Sequence, residues 1–300
     1  MTRLGIDVGG TKVAFRLAGE EPPAREDAFH WPSSPGPDAG PEADWAALAE
    51  EVARLRTGWA RPITAVGVAL PATTDAAGRV TTWPGRPGWA GLNVGARLRG
   101  LFPGAAVRWA DDGDLAALAE AGRAGSPDVV YIGVGTGVGG GVVLGGRSLA
   151  GSEIGHLIVD RSALDERCDC GRHGCLQAVA SGPATLRRAA RLRGGAVSFA
   201  DLRGGLLAGA GWAADALAPA WDALGAAVTS LGELLHPDVA VIGGGFGAGL
   251  PGFADAVAER VAKYARPGFA AVPVRRAELG GLSSLYGALL LAGQEEDGHG

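Results

Sequence analysis

The sequence predicts an α/β protein assembled from two related halves, and three observations carry that expectation. Apolar runs with the pattern of buried strands alternate with runs at helical spacing, the pattern of an α/β domain. A strand, a glycine-rich turn and a second strand occur twice, first around Asp7-Val-Gly9-Gly10-Thr11-Lys12 and again around Gly133-Val-Gly135-Thr136-Gly137-Val-Gly139-Gly140-Gly141, which points to an internal duplication. The length of 300 residues is too great for one typical domain and suits two, with 47% hydrophobic residues to fill their cores.

In chain order, residues 3–8 read as a short strand and 13–17 as its partner, joined as a hairpin by the first glycine turn. That turn carries Asp7, Thr11 and Lys12, side chains suited to a metal and a phosphate and equally at home in a polar hairpin turn. The Gly-x4-Gly-Lys-Ser/Thr spacing of a P-loop is absent. Residues 19–42 are rich in Pro, Gly and acidic side chains and read as a surface loop with a strand near 28–31. Asp44 is placed to cap a helix over 45–59, with Leu48, Val52 and Leu55 on one face. A buried strand at 63–70, loops at 71–78 and 81–91, a short helix at 94–101 and a strand at 106–109 follow. This strand ends at Asp111-Asp112-Gly113-Asp114, and a helix is expected over 114–124 with Leu115 and Leu118 inward.

Strands at 129–134 and 141–144 flank the second glycine run. Helices are expected over 182–193, opened by Pro183, and over 200–208. The apolar stretch 213–235 holds one or two core helices, with Pro219 its one strong breaker. A buried strand at 239–242 runs into Gly243-Gly244-Gly245, a last helix covers 284–292, and the acidic tail 294–300 is expected to be disordered.

The chemistry concentrates between Gly133 and Gln177. Glycines allow backbone N–H groups to approach an anion closely. Glu153 and His156 offer hydrogen-bond partners to a polar ligand. Cys168, Cys170 and Cys175 are the chain's only cysteines, and their clustering looks like a metal site. Thiolate ligands rather than disulfides point to a reducing cytoplasm. A net charge of -5 and a pI near 5.6 offer no basic field for nucleic acid. No signal peptide and no apolar run of membrane-spanning length is present, so no membrane partner is expected.

Taken together, these motifs resemble the ROK family (repressors, open reading frames, kinases), whose enzymes are glucokinase-like sugar kinases. Asp7 to Lys12 resembles the family's first phosphate loop and Gly135-Thr136-Gly137 its second. Glu153-Ile-Gly155-His156 resembles its sugar-binding signature, Cys168-x-Cys170-Gly171-x-x-Gly174-Cys175 its zinc signature, and Gly243-Gly244-Gly245 its adenosine-side turn. The resemblance spans nearly the whole chain, with the motifs in the family's order. It implies an actin-like, hexokinase-type fold of two duplicated α/β domains around a cleft: residues 1–111 with the last helix near 284–300, and 112–283 with the zinc loop. It implies ATP and Mg²⁺, with Asp7 orienting the ion and Gly9, Gly10, Thr11, Lys12, Gly135, Thr136, Gly137, Gly243, Gly244 and Gly245 on the nucleotide side. Asp112 matches the family's general base. The resemblance also implies that His156, Cys168, Cys170 and Cys175 form a closed structural Zn²⁺ site, with His173 as the rival fourth ligand, and a homodimer is expected.

Three positions depart from the family pattern. The usual Asn-Asp pair is Asp111-Asp112, the Glu after Cys-Leu is Gln177, and the Asn of the sugar loop is Gly85. With Asp112, Glu153 and His156 these residues form the expected sugar site. Ionised Asp only accepts hydrogen bonds, Gln both donates and accepts, and Gly85 offers no side chain. These changes count against plain glucose, and the resemblance then implies a modified hexose or C7-cyclitol phosphorylated on a primary hydroxyl, the alternatives being an ordinary glucokinase or a non-catalytic sugar sensor. A DNA-binding repressor is disfavoured, because Asp7 lies too near Met1 for a preceding helix-turn-helix.

Overall fold

In the first half of the chain, β1 (Thr2–Val8), β2 (Lys12–Ala18) and β3 (Arg25–His30) pair antiparallel. The helix α1 (Pro41–Thr57) leads to β4 (Ile63–Ala69), which lies parallel to β1. A small ribbon of β5 (Thr73–Thr74) and β6 (Val80–Thr82), a one-turn 3₁₀ helix (Pro87–Trp89) and α2 (Val94–Leu101) precede β7 (Ala106–Ala110), parallel to β4. The sheet order is β3-β2-β1-β4-β7. The helix α3 (Asp112–Ala124) follows. This computed structural model describes residues 2–19, 24–32, 40–59, 61–162 and 166–294; parts of the expected loop over 19–42, and all but the first residue of the expected tail, lie outside them.

The second half repeats the plan. Strands β8 (Val129–Val134), β9 (Val138–Leu144) and β10 (Arg147–Ser148) are antiparallel. Helices α4 (Leu176–Ala180), α5 (Gly182–Arg193), α6 (Phe199–Leu207) and α7 (Gly211–Leu235) lead to β11 (Val239–Gly243), parallel to β8. After α8 (Gly245–Gly249) and α9 (Phe253–Tyr264), β12 (Val274–Arg276) pairs parallel with β11. The order β10-β9-β8-β11-β12 reproduces that of the first sheet, three antiparallel strands continued by two parallel ones. The chain ends its described part in α10 (Ser283–Ala292). By contacts the chain divides into two units, the described parts of Met1–Ala119 with Leu282–Gly300, and Glu120–Gly281.

Period-2 patterning builds the first core: Leu4, Ile6 and Val8 alternate inward and pack with Val13, Phe15, Leu17, Val66, Val68 and the Leu48, Val52 and Leu55 face of α1. The opposite face of this sheet is covered by α10, against which β1 and β4 present glycines. A Cβ at Gly67 would fall on the Ala288 carbonyl, and one at Gly5 would lie 2.9 Å from Leu285 O. In the second unit α7 is buried in the core (Ala216, Leu217, Ala220, Leu224, Val228) and packs with α4, α5, α6 and α9, and this anchorage carries a single helix through Pro219.

Several boundaries differ from expectation for identifiable reasons. Asp44 is not the N-cap: α1 starts at Pro41, whose fixed φ suits a first turn, and Asp44 is turned into the core. The helix expected from 114 begins at Asp112, because Asp111 Oδ1 accepts the N–H groups of Gly113 (2.9 Å) and Asp114 (3.3 Å). β9 starts at Val138 rather than at Gly141, so Gly139 and Gly140 belong to the strand and not to the turn. The sequence reading places no element between 248 and 283, where α9 and β12 lie. Phe253, Val257 and Val261 do repeat every four residues, whereas β12 is a three-residue edge with two exposed arginines. Among the described residues no helix is long and apolar enough to cross a membrane.

Candidate active site

In the first unit the site is built where β1 and β7 end. Asp7 stands near the end of β1, and Gly9 N–H donates to Lys12 O at 2.9 Å to close the turn into β2. Asp112 opens α3 directly after β7, so backbone pairing of β1 with β4 and of β4 with β7 carries Asp7 and Asp112 to the same edge. The two carboxylates feel each other. Burial, then the negative charges of Asp111, Asp7 and Asp114, pushes the Asp112 carboxyl up to about 7 against the opposing Gly113 N–H. Burial likewise raises Asp7 to about 6, against the pull of Lys12. Crowded carboxylates with raised pKa values are what a divalent cation with oxygen ligands would relieve, so the donor set fits Mg²⁺. Gly85 lies beside the first glycine turn, its would-be Cβ 3.9 Å from Gly10 Cα.

In the second unit Gly135 N–H donates to Gly137 O at 2.8 Å, a turn as tight as the first. Gly182 N–H, at the start of α5, donates to Gly135 O at 2.9 Å. Gln177 holds the turn from the other side: its Oε1 accepts Val138 N–H at 3.2 Å, and a Cβ on Gly137 would stand 2.7 Å from that oxygen. The Gln177 amide nitrogen reaches Asp169 Oδ2 at 3.4 Å, so this residue bridges the glycine turn and the cysteine loop. Gly243 ends β11, and Gly244, which follows it at φ 79°, allows no Cβ against the Val134 backbone. Gly245 faces open space.

The cysteine loop gathers the expected metal ligands. The ligand atoms of His156, Cys168, Cys170 and Cys175 all lie within 4.8 Å of one another. Cys168 Sγ is 3.6 Å from His156 Nδ1, and Cys170 Sγ is 3.6 Å from Cys175 Sγ. Ligands of a tetrahedral zinc, at about 2.3 Å for sulfur and 2.0–2.1 Å for nitrogen, stand about 3.5–3.8 Å apart, so this set fits the ion. The thiols are unevenly poised. The Arg172 backbone N–H, then its side chain, holds Cys170 down to about 6, while burial pushes Cys175 up to about 12. Gly174, at φ 73°, permits the turn into Cys175, and a side chain there would strike Asp160 O. His156 presents its other nitrogen, Nε2, to Glu153 Oε2 at 4.0 Å, and Glu153 is 69% exposed.

Asp7, Gly9, Gly10, Thr11, Lys12, Gly85, Asp111 and Asp112 thus belong to the first unit, and Gly135, Thr136, Gly137, Glu153, His156, Gln177, the cysteines and Gly243 to Gly245 to the second. Two of the expected sugar-reading side chains are engaged in local structure, Asp111 as the cap of α3 and Gln177 as the bridge just described. Sequence reasoning missed the support behind the first turn, where Trp31 Nε1 donates to Gly9 O (2.7 Å) and Arg86 Nε to Gly10 O (3.0 Å). Its one signal is an arginine flanked by Gly85 and Pro87 amid tryptophans.

Comparisons with known proteins agree with this layout. The sequence profile described as "ROK family" matches residues 3–295. A kanosamine kinase of Amycolatopsis mediterranei is 53% identical over 295 residues, 97% of this chain and 95% of that protein. A glucokinase of Thermotoga maritima is 29% identical over 293 residues, 89% of each chain. Among solved structures, the ROK hexokinase of Thermus thermophilus superposes with a TM-score of 0.82 at 32% identity, covering 97% of this chain and 98% of that one. A ROK glucokinase of Streptomyces griseus, in complex with glucose and AMPPNP, does so with a TM-score of 0.80 at 25% identity, over 98% and 100% of the two chains. The fold is therefore the actin-like, hexokinase-type one, and the chain belongs to the ROK family as an ATP-dependent carbohydrate kinase.

Proposed function

We propose that this kinase phosphorylates the primary hydroxyl of an aminohexose of the kanosamine type, with Asp112 as general base. The observation that carries the substrate reading is the 53% identity with a kanosamine kinase over nearly the full length of both chains. Asp111 supports it chemically. A carboxylate where the family pattern has Asn complements a protonated amine and accepts hydrogen bonds without donating any.

The reaction needs positioning and charge neutralisation more than covalent help. Asp112, poised near pH 7, takes the proton of the attacking hydroxyl as the oxygen bonds to the γ-phosphorus and the bond to ADP breaks. Backbone N–H groups of the turns at Gly9-Gly10-Thr11 and Gly135-Thr136-Gly137 receive phosphate oxygens, and Lys12 adds a positive charge beside the first. Asp7 would hold Mg²⁺, which offsets phosphate charge when bound. The residues 243–245 would lie on the adenosine side. The zinc ligands Cys168, Cys170, Cys175 and His156 Nδ1 would fix the loop that presents Glu153 and His156 Nε2 to the sugar.

The test is ADP release with Mg²⁺-ATP over a panel of kanosamine, glucose, N-acetylmannosamine and a valiolone-type cyclitol, the last representing the C7-cyclitol expectation. Kanosamine should give the highest kcat/KM. Glucose in first place would leave a glucokinase, and no turnover with any member would leave a sugar sensor.

A further inference from the structure

Behind the first glycine turn lies a buried polar knot that the roles above do not use. Arg86 and Asp44 are both fully buried and form an ion pair of 2.5 Å. Charges in such a place need specific partners, since desolvation otherwise outweighs their attraction. Asp44 Oδ2 accepts from Arg86 Nη1 and, at 3.0 Å, from the Trp89 indole N–H. The guanidinium lies 4.8 Å from the centre of the Trp31 ring. This packing aims Arg86 Nε at Gly10 O (3.0 Å), while Trp31 Nε1 takes the preceding carbonyl, Gly9 O (2.7 Å).

Peptide geometry gives the knot a consequence. In a planar trans peptide the C=O and the next residue's N–H point in opposite directions. Drawing the Gly9 and Gly10 carbonyls back onto Trp31 and Arg86 turns the N–H groups of Gly10 and Thr11 away from the core, on the side where Thr11 is exposed. A Cβ on Gly10 would meet nothing within 4 Å, so an anion has open approach. A hydrogen bond from a charged donor also polarises the Gly10–Thr11 peptide and strengthens its N–H as an anion donor. Arg86 belongs by its backbone to the 83–89 loop, where it directly follows Gly85. The loop expected on the sugar side and the turn expected to hold phosphate are thereby one hydrogen bond apart.

We propose that Arg86, held by Asp44, is a positioning residue for the phosphate donor: it aims the Gly10 and Thr11 amides and makes nucleotide affinity depend on occupancy of the sugar loop. This rests on the kinase reading above, with Gly85 near the sugar. Arg86→Lys keeps a positive charge opposite Asp44 but loses the planar fork that serves Asp44 and Gly10 together. Asp44→Asn/Arg86→Leu removes both charges and leaves an amide oxygen for the Trp89 indole. Trp31→Phe removes the bond to Gly9 while keeping an aromatic ring, though a smaller one, beside Arg86. Affinity for a non-hydrolysable ATP analogue with Mg²⁺ is measured by calorimetry with and without saturating kanosamine, beside KM for ATP and for the sugar.

In the wild type, sugar should tighten analogue binding at least about fivefold. In Arg86→Lys and in the double variant that factor should fall below about twofold. KM for ATP should rise about tenfold, the loss expected of about one such interaction, while KM for sugar stays within a factor of about three. Trp31→Phe should weaken sugar-free analogue binding in the same direction, which keeps a readout should the charge variants not fold. Folded variants with wild-type coupling and wild-type KM for ATP overturn the proposal. Absence of phosphorylation of any sugar by the wild type would overturn the kinase substrate reading instead. Sugar-free analogue affinity, expected about tenfold weaker in both charge variants, would still decide the role of Arg86.

Discussion

At pH 8, Asp112→Asn should leave the protein more stable than the wild type while nearly abolishing turnover. The fold holds the Asp112 carboxyl at about 7 against an ordinary 3.8, through burial and the charges of Asp111, Asp7 and Asp114. A raised carboxyl favours the protonated state on folding. Its contribution to stability is therefore full below about pH 3.8 and is lost as pH rises through 7, above which the ionised group strains the native state. The gap corresponds to about 4 kcal/mol at most, and water reaching the partly exposed side chain reduces it to about 1–3 kcal/mol. Asparagine is nearly isosteric and carries no charge at any pH. Melting in metal-free buffer should show a gain of roughly 2–6 °C at pH 8, shrinking toward zero near pH 4. Turnover should fall by about 10²–10⁴, and the wild-type kcat/KM should rise through a limb near pH 7. A variant no more stable at pH 8, or a gain that ignores pH, would refute the crowded-carboxylate account; near-normal turnover would remove Asp112 as the base.

Elemental analysis of freshly purified, unchelated protein should find one zinc per chain, and Cys175→Ser should lower both the melting temperature and sugar affinity; zinc-free protein would refute the assignment. Asp111→Asn with Gln177→Glu should fold, because Asn can still cap α3 and Glu can still accept from Val138, and should shift preference toward glucose. An unchanged ratio of kcat/KM values would mean that neither residue reads the sugar. Gly67→Ala should destabilise the first unit by about 1–3 kcal/mol, since its methyl would fall on the Ala288 carbonyl; a neutral effect in a denaturant titration would contradict the close packing of α10 on β4.

Strong periodicity and glycine punctuation made much of the architecture legible in the sequence. The paired strand–turn–strand units, the α2 and α5 limits and the fourfold cluster of His156 with the cysteines all rest on local residue patterns. What escaped depends on distant partners. Asp44 looks like a cap because Asp is a capping type, and only its meeting with Arg86, 42 residues on, makes it a core residue. Gln177 and Asp111 read as substrate contacts by motif, yet their hydrogen bonds to Val138 and Gly113 tie them to backbone that no spacing rule connects. The segment holding α9 and β12 carries no motif, and its strand is short and exposed. Motif-bearing loops were thus readable one at a time, while the contacts that support them were not.

The most direct measurement of the substrate claim is a competition. Equimolar kanosamine and glucose are incubated with limiting Mg²⁺-ATP, and the two sugar phosphates are quantified by mass spectrometry, with the phosphorylated position assigned by phosphorus–proton NMR. The product ratio equals the ratio of kcat/KM values. One well-placed charge-assisted contact to the amine is worth about 1.5–3 kcal/mol, so kanosamine phosphate should exceed glucose phosphate by at least about tenfold, with phosphate on the primary hydroxyl. Glucose phosphate in excess, or phosphate on a ring hydroxyl, would contradict the account.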